Sequence, residues 1–326
     1  MKRFLFIILI TSVFNCKNKP AENIKLTGPV FGTAYNIQYF SEDGINYQAQ
    51  IDSLFKVINQ SLSTYIKDSD ISRLNRNEGV EVDTHFARVY KASKSIFIAT
   101  DGVFDPTIGN VVNAWNFGSE NNKFLTDSTT IDSLMQFVGF DKVNLEAGRI
   151  IKPDPVYLEF NAIAKGYGID VICEFLETNG IANFLVDIGG DLRVKGINIQ
   201  RGAGWTVGID DPNFDGTQSY SKVVVLKNEA MATSGTYRKY KQDEQGNRYA
   251  HIMDTRTGYP TKTNILSASV IAPDCMTADG YATAFQAMGI EEVKLFLRSY
   301  PELKVFFIYE DEDQTLNTLA LNNFPE

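Results

Sequence analysis

The sequence predicts an α+β fold, formed by one large domain in which a mainly antiparallel sheet is flanked by helices. Strand patterns stand in adjacent runs and do not alternate regularly with helices, which favours antiparallel pairing. The 326-residue chain is 44% hydrophobic, enough to bury a large core. No linker, low-complexity tract or internal repeat divides the chain after its N-terminal leader, so a single domain is expected over residues 24–326.

Hydrophobic periodicity predicts the individual elements. Tyr35, Ile37 and Tyr39 alternate with polar residues and predict a strand over residues 33–39. Apolar residues at helical spacing predict helices over residues 49–62, 85–99, 131–138, 164–178, 278–288 and 291–299. Short apolar or alternating runs predict strands over residues 156–160, 184–188, 192–194, 205–209, 222–226, 266–271 and 303–309.

The N-terminus has the features of a secretory leader. Lys2 and Arg3 precede an apolar run over residues 4–14, which is too short to span a bilayer as a mature helix. Cys16 follows directly. We therefore expect residues 1–15 to be removed as a signal peptide and Cys16 to carry lipid, which would anchor the exported domain to the cell inner membrane, facing the periplasm or the outside.

The cleavage site itself is atypical, because Phe14 and Asn15 stand where lipoproteins have small residues. An ordinary secreted protein and an uncleaved anchor are the alternatives, and both also export the domain. Residues 16–23 would form a polar tether. Cys173, on a predicted helix, and Cys275, in a predicted loop, do not define a disulfide framework, and a buried apolar role is the default for Cys173.

Charge and histidine content limit the possible ligands. A net charge of −9 without clustered Lys and Arg argues against a nucleic-acid partner, so an anionic ligand would need a metal ion. His85 and His251 are the only histidines, which excludes a multi-histidine site and favours a hard, oxygen-ligated metal such as Mg²⁺ or Ca²⁺. The sequence also lacks a phosphate-binding P-loop, a nucleophile elbow, a zinc-protease helix and a dinucleotide fingerprint.

Seven short motifs rich in Gly, Asp, Thr and aromatic residues follow one another along the chain, and each alone is compatible with an ordinary turn. They are Ser63-Thr64-Tyr65, Phe104-Asp105-Pro106-Thr107, Ala164-Lys165-Gly166-Tyr167, Val186-Asp187-Ile188-Gly189-Gly190-Asp191, Ala232-Thr233-Ser234-Gly235-Thr236-Tyr237-Arg238, His251-Ile252-Met253-Asp254-Thr255-Arg256-Thr257-Gly258-Tyr259-Pro260 and Ala278-Asp279-Gly280-Tyr281-Ala282-Thr283. In this order, and over residues 31–289, they resemble the ApbE family of FAD:protein FMN transferases.

The resemblance implies an ApbE (T-fold-like) domain and a set of residues around FAD. The chemistry of these residues suits the ligand, because FAD presents a flat ring, a charged pyrophosphate and an adenosine, and the set supplies stacking surface, one ammonium and acidic acceptors. The residues are Phe31, Tyr65, Val103, Phe104, Asp105, Glu159, Lys165 and Met253.

The resemblance further places Mg²⁺ at Asp279, Thr283 and Ala162, of which the alanine has only a backbone carbonyl to offer. Asp279 and Thr283 are four residues apart at the start of a predicted helix, so their oxygens project from one face. Ala282 stands where some relatives have a second acidic residue, so a second metal is not expected. The alternative role for Asp279 is that of a helix N-cap.

Two residues are candidates for proton transfer. The resemblance makes His251 a catalytic residue near the pyrophosphate, since an imidazole exchanges a proton near neutral pH. Asp279 is the rival base. Alternatively, His251 only orients Asp254 or the flavin. His85 lies on an amphipathic helix and is assigned no function.

The expected activity is transfer of FMN from FAD to a threonine or serine of a partner protein, with Mg²⁺ as cofactor and AMP as the leaving product. The partner would be a membrane redox subunit. One alternative uses the same site with water as acceptor and hydrolyses FAD to FMN and AMP. The other is a lipoprotein that binds flavin without turnover, which would have no need for a metal at the pyrophosphate.

Overall fold

The computed structural model describes residues 20–120, 127–212, 219–236, 240–242 and 248–326. The strands are β1 (Glu22–Val30), β2 (Thr33–Ser41), β3 (Asn144–Glu146), β4 (Arg149–Ile151), β5 (Phe184–Ile188), β6 (Asp191–Lys195), β7 (Trp205–Asp210), β8 (Tyr220–Leu226), β9 (Ala230–Gly235), β10 (Tyr240–Gln242), β11 (Arg248–Ala250), β12 (Ile265–Ala272), β13 (Lys304–Glu310) and β14 (Leu316–Leu321). The helices are α1 (Gln48–Leu62), α2 (Asp70–Asn75), α3 (Thr84–Ala99), α4 (Gly109–Ala114), α5 (Ser128–Met135), α6 (Ala164–Thr178), α7 (Cys275–Met288) and α8 (Ile290–Phe296).

The main sheet has the strand order β1-β2-β5-β6-β9-β12-β13-β14, and every neighbouring pair in it is antiparallel. Three two-stranded ribbons, β3–β4, β7–β8 and β10–β11, lie outside this sheet. The predicted α+β domain with an antiparallel sheet flanked by helices is therefore confirmed.

The main sheet is the middle layer of the molecule. On one face, Tyr35, Ile37 and Tyr39 of β2 are buried in a core that also contains residues of α1 and α6. On the other face, Phe40 packs against Trp205 of the β7–β8 ribbon, with ring centroids 6.1 Å apart. The prediction that these three side chains share one face of a strand is confirmed, since successive side chains of a strand point to opposite faces.

Several predicted elements need correction. Residues 156–160 do not form a regular strand and contribute only an isolated bridge between Tyr157 and Ile108. The physical reason is that the Asn75 side chain bonds both the N–H and the carbonyl of Leu158, in place of a strand partner. Conversely, the small residues of β9 resemble a loop in sequence, yet they form a strand between β6 and β12.

The structure also relocates Cys275, which was expected in a loop but is the first residue of α7. Cys173 and Cys275 are both buried free thiols, as expected for Cys173. Cys16 and the predicted leader lie outside the described residues. Among the helices that the structure describes, none combines the length and apolar character needed to cross a membrane.

Candidate functional site

A cleft of about 390 Å³ gathers the predicted site residues. With the exception of Phe31, all of those in the described ranges line it, namely Tyr65, Val103, Phe104, Asp105, Glu159, Ala162, Lys165, His251, Met253, Asp279 and Thr283. Phe31 packs edge-on to Phe55, with ring centroids 5.5 Å apart. Because Phe31 is not among the residues that line the cleft, its contact with a dinucleotide stays a prediction.

One wall is formed where α6 and α7 approach each other. The Gly166 N–H, in the first turn of α6, donates to Asp279 Oδ2 at 2.9 Å. A Cβ on Gly166 would lie 2.3 Å from the Cys275 carbonyl oxygen and 2.8 Å from Asp279 Cβ, so only glycine permits this approach. The positive end of the α6 dipole thus faces a carboxylate that is only 6% exposed.

Asp279 is not a helix N-cap. The N-cap of α7 is Asp274, whose carboxylate accepts a hydrogen bond from the Thr277 N–H at 2.8 Å. Asp279 lies in the second turn, and Thr283 follows one turn later on the same face. The Thr283 hydroxyl is 3.0 Å from the Ser234 hydroxyl of β9, which joins the helix to the central strand.

Lys165 supplies the cation of this wall and forms an ion pair with Asp191 of β6. Burial alone would lower the pKa of Lys165, but the charges of Asp191 and Asp279 outweigh burial and raise this pKa. The pKa of Asp279 is also raised, first by burial and then by the neighbouring Asp191 charge. Asp191 is held in place by the Thr233 N–H, which donates to its Oδ1 at 3.0 Å.

The donor set on this wall fits a magnesium ion that is shared with a substrate phosphate. The described residues contain no cluster of three His, Cys, Asp or Glu side chains that would enclose a metal. Mg²⁺, however, commonly uses one or two carboxylates and completes its octahedron with water and substrate phosphates. Asp279, Thr283 and the carbonyl of Ala162 are hard oxygen donors of this kind. Two carboxylates, Asp191 and Asp279, face a single ammonium here, so the local charge favours a further cation.

A second wall of the cleft is built from two loops that are joined by hydrogen bonds. The Thr255 hydroxyl donates to the Gly102 carbonyl at 2.7 Å, and the Trp115 indole N–H donates to the Gly258 carbonyl at 2.9 Å. Phe104 and Met253 are buried in this wall. Tyr65, at the cleft rim, is 61% exposed and presents an open aromatic face. The wall therefore offers the apolar and aromatic surface that a flavin or adenine ring requires.

Asp105 has a different surrounding from the one expected of a ligand-binding acceptor. Its Oδ1 accepts from both the N–H and the hydroxyl of Thr107, at 2.8 and 2.6 Å, and its Oδ2 accepts from the Phe140 N–H at 3.1 Å. Burial raises the pKa of this carboxyl group. Asp105 lines the cleft, but the hydrogen bonds of its carboxylate stabilise the loop that carries Phe104.

His251 lies in the same cleft as Asp279, and its ring centroid is 6.3 Å from that of Phe117. Asp254 accepts a hydrogen bond from the Arg256 N–H at 2.9 Å within its own turn. The proton-transfer role of His251 stays a prediction.

Asp191 and the residues of β7 that line the cleft have no role that the sequence pattern alone predicts. Asp191 stands at the end of the Gly189-Gly190-Asp191 motif, so the motif marks this position although it does not indicate the role of the carboxylate. Gly208 and Asp210 of β7 also line the cleft, and they belong to none of the seven motifs. Only the tertiary placement of the β7–β8 ribbon brings these two residues to the site.

Comparison with known proteins gives a consistent result. The model of the ApbE family matches residues 31–307. A protein of Vibrio cholerae named FAD:protein FMN transferase is 36% identical over 304 residues, covering 90% of this chain and 90% of its own. One of Haemophilus influenzae with the same name is 35% identical, covering 94% and 92% of the two chains. The solved structure "Flavin Transferase ApbE from Vibrio cholerae" superposes with a TM-score of 0.83 at 34% identity, covering 92% of this chain and 97% of that one.

Proposed function

The chain belongs to the ApbE family, and from this premise we propose that it transfers FMN from FAD to a threonine or serine hydroxyl of a partner protein and releases AMP. The observation that carries the proposal is the composition of one cleft. Phe104, Met253 and Tyr65 offer ring-binding surface, whereas Asp279 and Lys165 place charge at the α6–α7 junction. An aromatic ring system joined to a pyrophosphate needs both.

The chemistry is a displacement at phosphorus. The acceptor hydroxyl oxygen forms a bond to the FMN-side phosphorus of FAD, and the bond from that phosphorus to the bridging oxygen breaks. AMP leaves with the bridging oxygen, and the acceptor holds FMN through a phosphoester. The hydroxyl proton passes to His251 or to Asp279, the two candidate bases in the cleft. Lys165 compensates negative charge on the phosphate oxygens, so positioning and electrostatics supply most of the rate.

Magnesium is part of the proposal. When bound, Mg²⁺ would neutralise charge on the pyrophosphate oxygens, and Asp279, Thr283 and the Ala162 carbonyl would hold it. The support is the charge excess of Asp191 and Asp279 over Lys165 and the hard oxygen donors on one helix face. The contribution of the chain itself is to hold Asp279 rigidly through the Gly166 N–H.

The remaining parts of the proposal concern the partner and the location. We propose that the acceptor is a membrane redox subunit and that the enzyme is exported and anchored by lipid on Cys16. The support is the N-terminal pattern of Lys2, Arg3, an apolar run and a cysteine. Mass spectrometry of the mature N-terminal peptide tests this part, since an unmodified peptide that begins before Cys16 would contradict it.

The function itself is tested in cells. Membrane and soluble proteins from a strain with the gene and from one without it are digested and searched by mass spectrometry for peptides that carry FMN on threonine or serine. The proposal predicts at least one FMN peptide that disappears with the gene. Identical FMN peptides in both strains would overturn it and would favour hydrolysis of FAD in the same cleft.

A further inference from the structure

We propose that the outward face of the β7–β8 ribbon is the surface on which the acceptor protein docks. This docking face is formed by Thr206, Gly208, Tyr220, Val223 and Val225. The inference rests on the proposed FMN transfer, because that reaction requires a protein, and not only a small molecule, to reach the cleft.

The two faces of the ribbon differ sharply in exposure. Trp205, Val207 and Ile209 point inward and are buried against the main sheet. The alternate positions of β8 point outward, where Val223 is 53% and Val225 is 57% exposed, and a register shift in the ribbon brings Tyr220, which is 59% exposed, to the same face. Three large apolar side chains thus stand together on one strand in water, an arrangement that is typical of an interaction surface.

This apolar face begins at the mouth of the cleft. Gly208, Ile209 and Asp210 of β7 line the cleft, and the ribbon pairing places Val223 opposite Gly208 and, beyond a register shift, Tyr220 opposite Asp210. Residues directly opposite each other in an antiparallel pair point to the same face. Tyr220 also covers Gly208, since a Cβ at Gly208 would lie 2.3 Å from the tyrosine ring. The cleft and the docking face are therefore one continuous surface.

Chemistry identifies the occupant. Asp210 is the only charged side chain on the outward side of β7 and β8, so the docking face does not select a charged partner. FAD is expected in the cleft, and the molecule that must approach its mouth from outside is the polypeptide with the acceptor hydroxyl. The matching partner is an acceptor protein with an apolar surface beside its acceptor threonine or serine.

The test compares Val225→Asp with Leu316→Asp. Leu316 is a 54% exposed strand residue on the edge strand β14 and does not line the cleft, so it is the matched control. The probe is the protein that carries FMN in the gene-positive strain, purified without FMN from the strain that lacks the gene. We expect Val225→Asp to raise the KM for this acceptor by about tenfold or more, with an unchanged Kd for FAD, because a charge is buried in an apolar contact. Val225→Ile, which keeps an apolar side chain at this position, should retain the wild-type KM for the acceptor.

Acceptor KM values within twofold of wild type in both Val225→Asp and Val223→Asp, at unchanged FAD affinity, would overturn the docking face. Failure of the proposed function looks different, because the wild-type enzyme would then leave the acceptor without FMN at every concentration.

Discussion

Asp170 of α6 and Arg193 of β6 form an ion pair at 2.8 Å, and the same carboxylate accepts the first two N–H groups of α7, from Cys275 at 3.0 Å and Met276 at 2.8 Å. A second ion pair joins α6 to β6 with the charges reversed, because Lys165 is on the helix and Asp191 is on the strand. The two N–H bonds to Asp170 fix the helix that carries Asp279 and Thr283 against the helix that carries Lys165. Asp170 is therefore a positioning residue for the charged wall of the cleft.

Replacing Asp170 by Ala should destabilise the fold by about 3 kcal/mol, because Arg193 loses its partner and the N–H groups of Cys275 and Met276 lose their acceptor. Urea unfolding measures this change. Asp274→Ala is the matched control, since it removes the N-cap of the same helix but leaves the tie to α6 and β6, and it should cost about 1 kcal/mol. Equal losses in the two variants would contradict the positioning role.

The stability of the fold should also depend on the ionisation of Asp170. Burial raises the pKa of this carboxyl group to about 6, above its ordinary value near 4 in an unfolded chain. The folded state then binds the proton more tightly, so this group lowers the free energy of unfolding as pH rises from about 4 to 6, by up to about 3 kcal/mol. The free energy of unfolding of wild type minus that of Asp170→Asn, measured by urea unfolding at pH 4 and pH 7, should fall by this amount between the two pH values. A difference that is independent of pH would contradict it.

Gly166→Ala should open the α6–α7 junction, because the added Cβ meets the backbone oxygen of Cys275. We expect at least a tenfold loss of FMN transfer and weaker dependence on added Mg²⁺, since Asp279 loses its position. Gly79→Ala is the control, as a Cβ there meets no atom within 4 Å and the backbone is not in the left-handed region. Retention of full activity by Gly166→Ala would show that the close approach is not required.

A metal ligand should matter more than an aromatic contact. Asp279→Ala should lower kcat by about 100-fold or more, because charge on the pyrophosphate is no longer neutralised. Tyr65→Ala should instead raise the KM for FAD by about tenfold, through loss of ring stacking at the rim. Steady-state kinetics at saturating Mg²⁺ separates the two effects. The assignment fails if Asp279→Ala changes only KM.

The sequence was sufficient for the fold class, because periodicity reports burial, and eleven of the predicted site residues line the cleft. The sequence was insufficient where contacts between distant residues override the secondary structure that the local pattern predicts. Leu158 has its backbone bonds satisfied by Asn75, so the predicted strand is absent. Asp105 has its carboxylate bonded to Thr107, in the ordinary turn that this motif alone suggests, and also to Phe140, a partner that no local spacing reveals.

The ion-pair partners of buried charged residues could not be predicted from the sequence either. Asp170 and Arg193 are 23 residues apart in sequence and occupy different layers, so only the packing of α6 against β6 shows that they pair. Gly208 and Asp210 reach the cleft for the same reason, through the placement of an entire ribbon. Residues of this kind carry no local pattern, whereas Gly166 and Asp279 stand in motifs that could be recognised.

The most direct test of the central claim is to incubate the purified chain with FAD, Mg²⁺ and the FMN-free acceptor, and to measure the intact acceptor mass together with released AMP. The proposed function predicts that the acceptor gains one FMN phosphoester for each AMP released, and that Asp279→Ala forms both products about 100-fold or more slowly. Free FMN and AMP formed at the same rate with and without acceptor, with no change in acceptor mass, would contradict transfer and identify the enzyme as an FAD hydrolase.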